Sequence, residues 1–145
     1  IALVGSMAER ELTAGIGQRM RAEARVLAGE TSITELAVLL KGAALVVAGD
    51  TGPLHLAAAL GTPTVGIFGP TDPTNTGPLG PASRVLRLGL PCSPCYDLRS
   101  PADCKLPDRS IACMWGIEPP RVLAASLELL DVAVDEPGGI SPEAA

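Results

Sequence analysis

The sequence predicts an α/β fold, a Rossmann-like doubly wound parallel sheet with helices on both faces. Two observations carry this expectation. Short, continuous apolar runs alternate with helical segments, and the apolar content is aliphatic: hydrophobic residues make up 47% of 145, with one Phe, one Trp and one Tyr. Strands that are apolar throughout need cover on both faces, and small aliphatic side chains let helix and sheet layers pack closely. A chain of this size buries about two-thirds of its unfolded surface. Residues 1–134 therefore read as one domain.

The elements follow in order. Residues 1–4 form a strand ending at Gly5. From Ala8, "AERELTAGIGQRM" places Leu12, Ile16 and Met20 four residues apart, a helical stripe. "ARVLAG", residues 24–29, is a second strand. "SITE", Ser32 to Glu35, is a capping box, in which Ser32 accepts from a free helix N–H while Glu35 reaches back; the helix stops at Gly42. "ALVVA", residues 44–48, is a third strand. Residues 53–60 form a helix with proline in its first turn and Gly61 as its stop. "TVGIF", residues 64–68, and "RVLRL", residues 84–88, supply two more strands. Residues 91–120, rich in Pro, Cys and charge, read as an irregular excursion, and "PPRVLAASLELLDVAV" as a closing helix. Residues 135–145 read as a disordered tail.

Charge narrows the partners. A formal net charge of −5 argues against nucleic acid or an anionic membrane surface, both of which are gripped by basic patches. No apolar run approaches the roughly 18 residues of a membrane span, and no signal segment opens the chain. These features fit a soluble, cytoplasmic protein. The chain opens on "IALVG" without Met, which reads as the interior of a longer protein with further sequence upstream.

The stretch "VVAGDTGPLHLAAALGTP", residues 46–63, leaves a strand through Gly-Asp-Thr-Gly-Pro and carries the only histidine, His55, just after the turn. In an open parallel sheet ligands bind beyond the carboxyl ends of the strands. A helix starting near Pro53 offers unpaired N–H groups and a partial positive charge, Gly52 permits close backbone approach and Thr51 adds a hydroxyl. This favours a phosphate. The plainer reading is that Asp50 and Thr51 only cap the helix. His55 can donate to a phosphate oxygen or serve as a packed core residue. Asp50 cannot face a phosphate bare: at about 4 Å and an effective dielectric of 20 the repulsion is roughly 4 kcal/mol, more than the ~2 kcal/mol a helix terminus returns at best. It is expected to turn back onto loop N–H groups or to share a divalent cation with the ligand.

"GDTGPLHLAAALGTPTVGIFGPTDP", residues 49–73, resembles the signature of glycosyltransferase family 9, the ADP-heptose:lipopolysaccharide heptosyltransferases, and "ETSITELAVLLKGAALVVAGD", residues 30–50, fits as well. The resemblance implies the C-terminal, nucleotide-sugar-binding half of a GT-B enzyme that takes an ADP-sugar, with heptose as the sugar and a lipopolysaccharide-core acceptor. The full-length protein would be cytoplasmic, peripheral at the inner membrane. Asp50, Thr51, Gly52 and His55 would form the diphosphate turn, Thr31 would lie near the adenine, and Glu9 would accept from the ribose hydroxyls. Read by itself, Glu9 is a first-turn acid that complements a helix dipole. In this family the acceptor site, the catalytic carboxylate and a further phosphate loop precede the matched region. No catalytic residue is therefore assigned within these residues, which also lack a Ser/His/Asp arrangement or a local carboxylate pair. Two alternatives remain open: another GT-B chemistry such as nucleotide-sugar epimerisation, or a noncatalytic nucleotide- or metal-binding module.

Two further segments stay open. "FGPTDP", residues 68–73, either reverses the chain or contacts the ligand. Cys92, Cys95, Cys104 and Cys113 fall in one loop. Four thiols there can hold a structural zinc, or remain free thiols or redox-dependent disulfides.

Overall fold

The computed structural model describes residues 1–80, 82–96, 104, 106, 108 and 110–130, and all strand pairings among them are parallel. The chain divides into two compact units, Ile1–Leu39 and Leu40–Ala145.

In the first unit β1 (Ala2–Leu3) pairs with β2 (Arg25–Val26). A 3-10 turn at Met7–Glu9 leads into α1 (Arg10–Arg19) between them. The four-residue stripe forms a helix as expected, but its large side chains face outward: Leu12 and Ile16 are 66% and 45% exposed. Thr13 is the buried residue of α1. A Cβ at Gly17 would lie 3.5 Å from Val26 and 3.6 Å from Leu3, so α1 meets its strands through small residues that allow a close approach. Gly29 closes the second strand segment with φ +73°, and a Cβ there would come within 2.8 Å of Met7 Cα. Only glycine fits both the dihedral and the space.

The capping box of α2 (Ile33–Gly42) is present. Ser32 donates from N and Oγ to Glu35 Oε2 at 2.8 and 2.7 Å, and Glu35 N donates to Ser32 Oγ at 3.3 Å. These bonds hold the Glu35 carboxyl below its ordinary range. Helix α2 carries the chain from the first unit into the second.

There β3 (Val46–Gly49), α3 (Gly52–Ala59) and β4 (Thr64–Ile67) alternate, followed by the single turn α4 (Pro73–Thr76) and β5 (Ser83–Leu86). The sheet order is β3-β4-β5, and Gly49, Ile67 and Leu86 pair in one row. Gly61, at φ +78°, ends α3 in the left-handed conformation expected of a helix stop. Lys41 Nζ donates to Leu60 O at 2.6 Å, placing a cation at the negative end of α3. Within 91–120 the described residues contain a single turn, α5 (Ala112–Trp115), and the start of α6 (Pro119–Leu129). The end of the expected closing helix beyond 130 and the tail at 135–145 lie outside the described residues.

The core of this unit joins Val65, Leu86, Ile117 and Ala125, with Ile67, Leu88 and Val122 packed against them. Thr64, fully buried, satisfies its hydroxyl on Ser83 Oγ at 2.9 Å. Leu54 and Ala57 of α3 are also fully buried. Gly66 marks the tightest approach: a Cβ there would sit 2.8 Å from Phe68 and 3.0 Å from Leu54, both fully buried. Gly66→Ala is expected to cost about 1–3 kcal/mol by overpacking. Gly15→Ala, whose Cβ meets nothing within 4 Å in α1, should stabilise by up to ~1 kcal/mol through helix propensity. Urea unfolding of the two variants checks both signs.

Candidate functional site

Two residues, Asp50 and Thr51, connect β3 to α3 at the carboxyl edge of the sheet. Thr51 occupies the N-cap position with extended backbone, φ −141° and ψ 162°, yet no side chain caps the helix. Its hydroxyl donates instead to Gly49 O at 3.3 Å. The turn is thus not a simple cap, and the positive end of α3 keeps its capacity for an anion. Pro53 contributes no N–H, and Leu54 N is taken up by Thr51 O at 3.0 Å. A Cβ at Gly52 would meet nothing within 4 Å. Backbone at the start of the helix is therefore open to close approach.

Asp50 corrects one expectation. Its carboxylate does not turn back onto loop N–H groups; it faces two side chains. Oδ1 lies 2.7 Å from His55 Nε2, and Oδ2 accepts from Thr76 Oγ1 at 2.9 Å. Asp50 is 12% exposed and His55 40%. Burial pushes the Asp50 carboxyl up, but Thr71, His55 and Thr76 together pull it below its ordinary range. The buried Thr71 Oγ1 has no partner in hydrogen-bond geometry, so its influence on Asp50 is that of a nearby dipole.

The Asp50 contact fixes what His55 can do. With Nε2 committed to a carboxylate, Nδ1 of the neutral ring is an acceptor; only the imidazolium donates from both nitrogens. Donation from Nδ1 to an anion would therefore require a proton on both ring nitrogens, with Asp50 as the counter-charge.

The loop at 68–73 ends in α4. Asp72 caps it by accepting from Thr74 N at 3.1 Å, which, with weaker help from Arg87, holds the Asp72 carboxyl below its ordinary range. The segment thus reverses the chain and also delivers Thr76 to Asp50. Thr76 escaped the sequence reading because its partner is 26 residues away and no spacing rule links them.

In the first unit Glu9 Oε2 accepts from Ser6 N and Oγ, both at 2.7 Å. These bonds hold the Glu9 carboxyl low, so it is an acceptor-only group. Thr31 is half-buried in the loop before α2.

Cys92, Cys95, Cys104 and Cys113 are free and half-buried. Cys95 N donates to Pro70 O at 2.8 Å, and Cys113 Sγ lies 3.0 Å from where a Cβ on Gly69 would stand. Burial first, then the thiols of Cys95, Cys104 and Cys92, push the Cys113 thiol up. Among the described residues no three His, Cys, Asp or Glu side chains are grouped to hold a metal ion. No helix among them is long and apolar enough to cross a membrane.

The model of glycosyltransferase family 9 (heptosyltransferase) matches residues 1–106. Among solved structures, E. coli ADP-heptose LPS heptosyltransferase II is 30% identical with a TM-score of 0.71, covering 89% of this chain and 35% of that chain. The glycosyl transferase family 9 structure from Veillonella parvula DSM 2008 shares the fold at 21% identity, with a TM-score of 0.68 and coverage of 89% and 36%. This chain spans about a third of the length of each. No curated protein sequence matches it. The likeness bears out the Rossmann-like, GT-B expectation.

Because the folded-state pKa of Asp50 is lowered, its stabilising contribution is present above the ordinary carboxylate value and is lost as pH falls through the folded-state value. The stability gap between wild type and Asp50→Asn should therefore be widest near neutral pH and shrink below about pH 4. Urea titrations of both proteins across that range measure it.

Proposed function

The chain belongs to glycosyltransferase family 9, and on that premise we propose that it is the donor-binding part of an enzyme that transfers a sugar from an ADP-sugar to an acceptor. Heptose as the sugar and a lipopolysaccharide-core acceptor complete the proposal, and the likeness to E. coli ADP-heptose LPS heptosyltransferase II supports them. The observation that carries this reading is the uncapped start of α3 with open space at Gly52, flanked by the Asp50–His55 pair.

The chemistry follows from the charges. As the bond from the sugar carbon to the phosphate oxygen breaks, the departing diphosphate gains negative charge. The Gly52 N–H at the head of α3, and the His55 ring where it carries both protons, are fixed donors for that charge, and need no reorganisation as it develops. Asp50 stays off the phosphates because both of its oxygens are already engaged. Glu9, held ionised by Ser6, is the acceptor for the ribose hydroxyls, and Thr31 borders the adenine. The attacking hydroxyl and the base that activates it belong, in this reading, to the remainder of the full-length protein. Holding donor and acceptor in reacting geometry is worth up to roughly 7–11 kcal/mol, so these residues alone are expected to bind and not to turn over.

Calorimetry should show ADP binding the chain more tightly than AMP. Gly52→Ala should weaken ADP about tenfold or more while leaving stability intact, because the added Cβ meets no protein atom and enters the open space where the proposed diphosphate would approach. Equal affinity for ADP and AMP, or wild-type affinity in Gly52→Ala, contradicts the site. An assay of ADP release from an ADP-sugar with a lipopolysaccharide-core acceptor should give turnover for the full-length protein and none for this chain.

A further inference from the structure

We propose that Thr76 is a positioning residue of the donor site: its hydroxyl, delivered by α4, fixes the Asp50 carboxylate, and Asp50 in turn fixes the ring of His55. The proposal rests on the donor-binding reading above and adds a residue to it.

Thr76 Oγ1 has two acceptors within reach, Asp50 Oδ2 at 2.9 Å and Asp72 O at 3.1 Å, but one proton to give. Asp72 O already accepts from Asn75 N at 3.0 Å and Thr76 N at 2.9 Å. The carboxylate, charged and shorter in distance, is the stronger acceptor and takes the hydroxyl proton. Asp50 is then held at both oxygens, by His55 of the adjoining α3 at one and by Thr76 of α4, 26 residues away, at the other. A carboxylate pinned at two points cannot rotate, so the ring bonded to Oδ1 keeps one orientation.

A single helical turn is not stable in isolation, and α4 is tied down in its own right. The Asp72 side chain accepts from Thr74 N at 3.1 Å and lies 3.8 Å from Arg87 Nη1. Arg87 follows β5, and its Nη2 donates to Ser93 O at 2.8 Å. The end of β5 thus braces α4, α4 presents Thr76, and Thr76 sets Asp50. Thr76 and His55 also line, with Asn75, a surface cavity of about 410 Å³. A ligand group seated there meets the positioned ring and the residue that positions it.

Thr76 is exposed, so substitution leaves the core intact. Thr76→Val keeps the shape and removes the hydroxyl; Thr76→Ser keeps the hydroxyl and removes the methyl. Two quantities are read for each variant of this chain: ADP affinity by calorimetry, and the titration midpoint of the Asp50 carboxyl by carbon NMR. Thr76→Val should bind ADP about tenfold more weakly, as expected for losing a hydrogen bond to a charged group, and should raise the Asp50 midpoint. Thr76→Ser should match the wild type in both. Wild-type behaviour of Thr76→Val, or equal losses in Thr76→Ser and Thr76→Val, overturns the proposal. Failure of the wild-type chain to bind ADP overturns the donor reading instead, and the Asp50 midpoint then decides by itself whether Thr76 sets that carboxylate.

Discussion

Level pairing of parallel strands is the constraint on which the site depends. Gly49, Ile67 and Leu86 share one row, so the segments that follow them leave the sheet side by side. Asp50 comes directly after the first, Phe68 after the second and Arg87 after the third. A slip of register along β4 would carry Asp72 and Thr76 away from Asp50 while preserving every helix. Gly66 guards that alignment, because α3 and Phe68 crowd the strand at its middle and leave no room for a side chain. The polar assembly at the edge is therefore a product of apolar packing in the interior.

In the proposed donor-binding reading, an acidic protein has to attract an anion locally. With a net charge of −5, attraction cannot come from the overall field. In that reading it comes from the backbone dipoles at the head of α3 and from one imidazole whose cationic form has a carboxylate behind it. The carboxylate nearest the site is also its main electrostatic hazard, and engaging both of its oxygens turns the hazard into a support. The first unit uses the same device twice, where Ser6 occupies Glu9 and Ser32 occupies Glu35. In each case a short polar side chain keeps an acid ionised and oriented.

Features set by local sequence were legible in advance. The Ser32–Glu35 box, the Gly61 stop and the Gly-Asp-Thr-Gly turn each depend on residues within one helical turn of one another, and each appears where the pattern places it. Features set by approach in space were not. The stripe of Leu12 and Ile16 signalled a helix but not its buried side, because the helix meets its strands through Thr13 and Gly17 and turns the larger side chains outward. The expectation that Asp50 turns onto loop N–H groups fails for a related reason. Local N–H groups were the nearest acceptable partners in sequence, whereas His55 lies one turn into α3 and Thr76 arrives from a different loop. Charge arithmetic correctly required that Asp50 be occupied and had no means of naming the occupant.

His55 is the chain's only histidine, and it stands between Asp50 and the surface cavity that it lines with Thr76. Its protons are consequently the sole imidazole signals in a proton spectrum, with no second imidazole to assign or subtract. The protein carries an intrinsic spectroscopic reporter at its candidate site. Ligand screening, occupancy and exchange rates can be followed there on unlabelled material, with no probe attached to perturb the edge of the sheet.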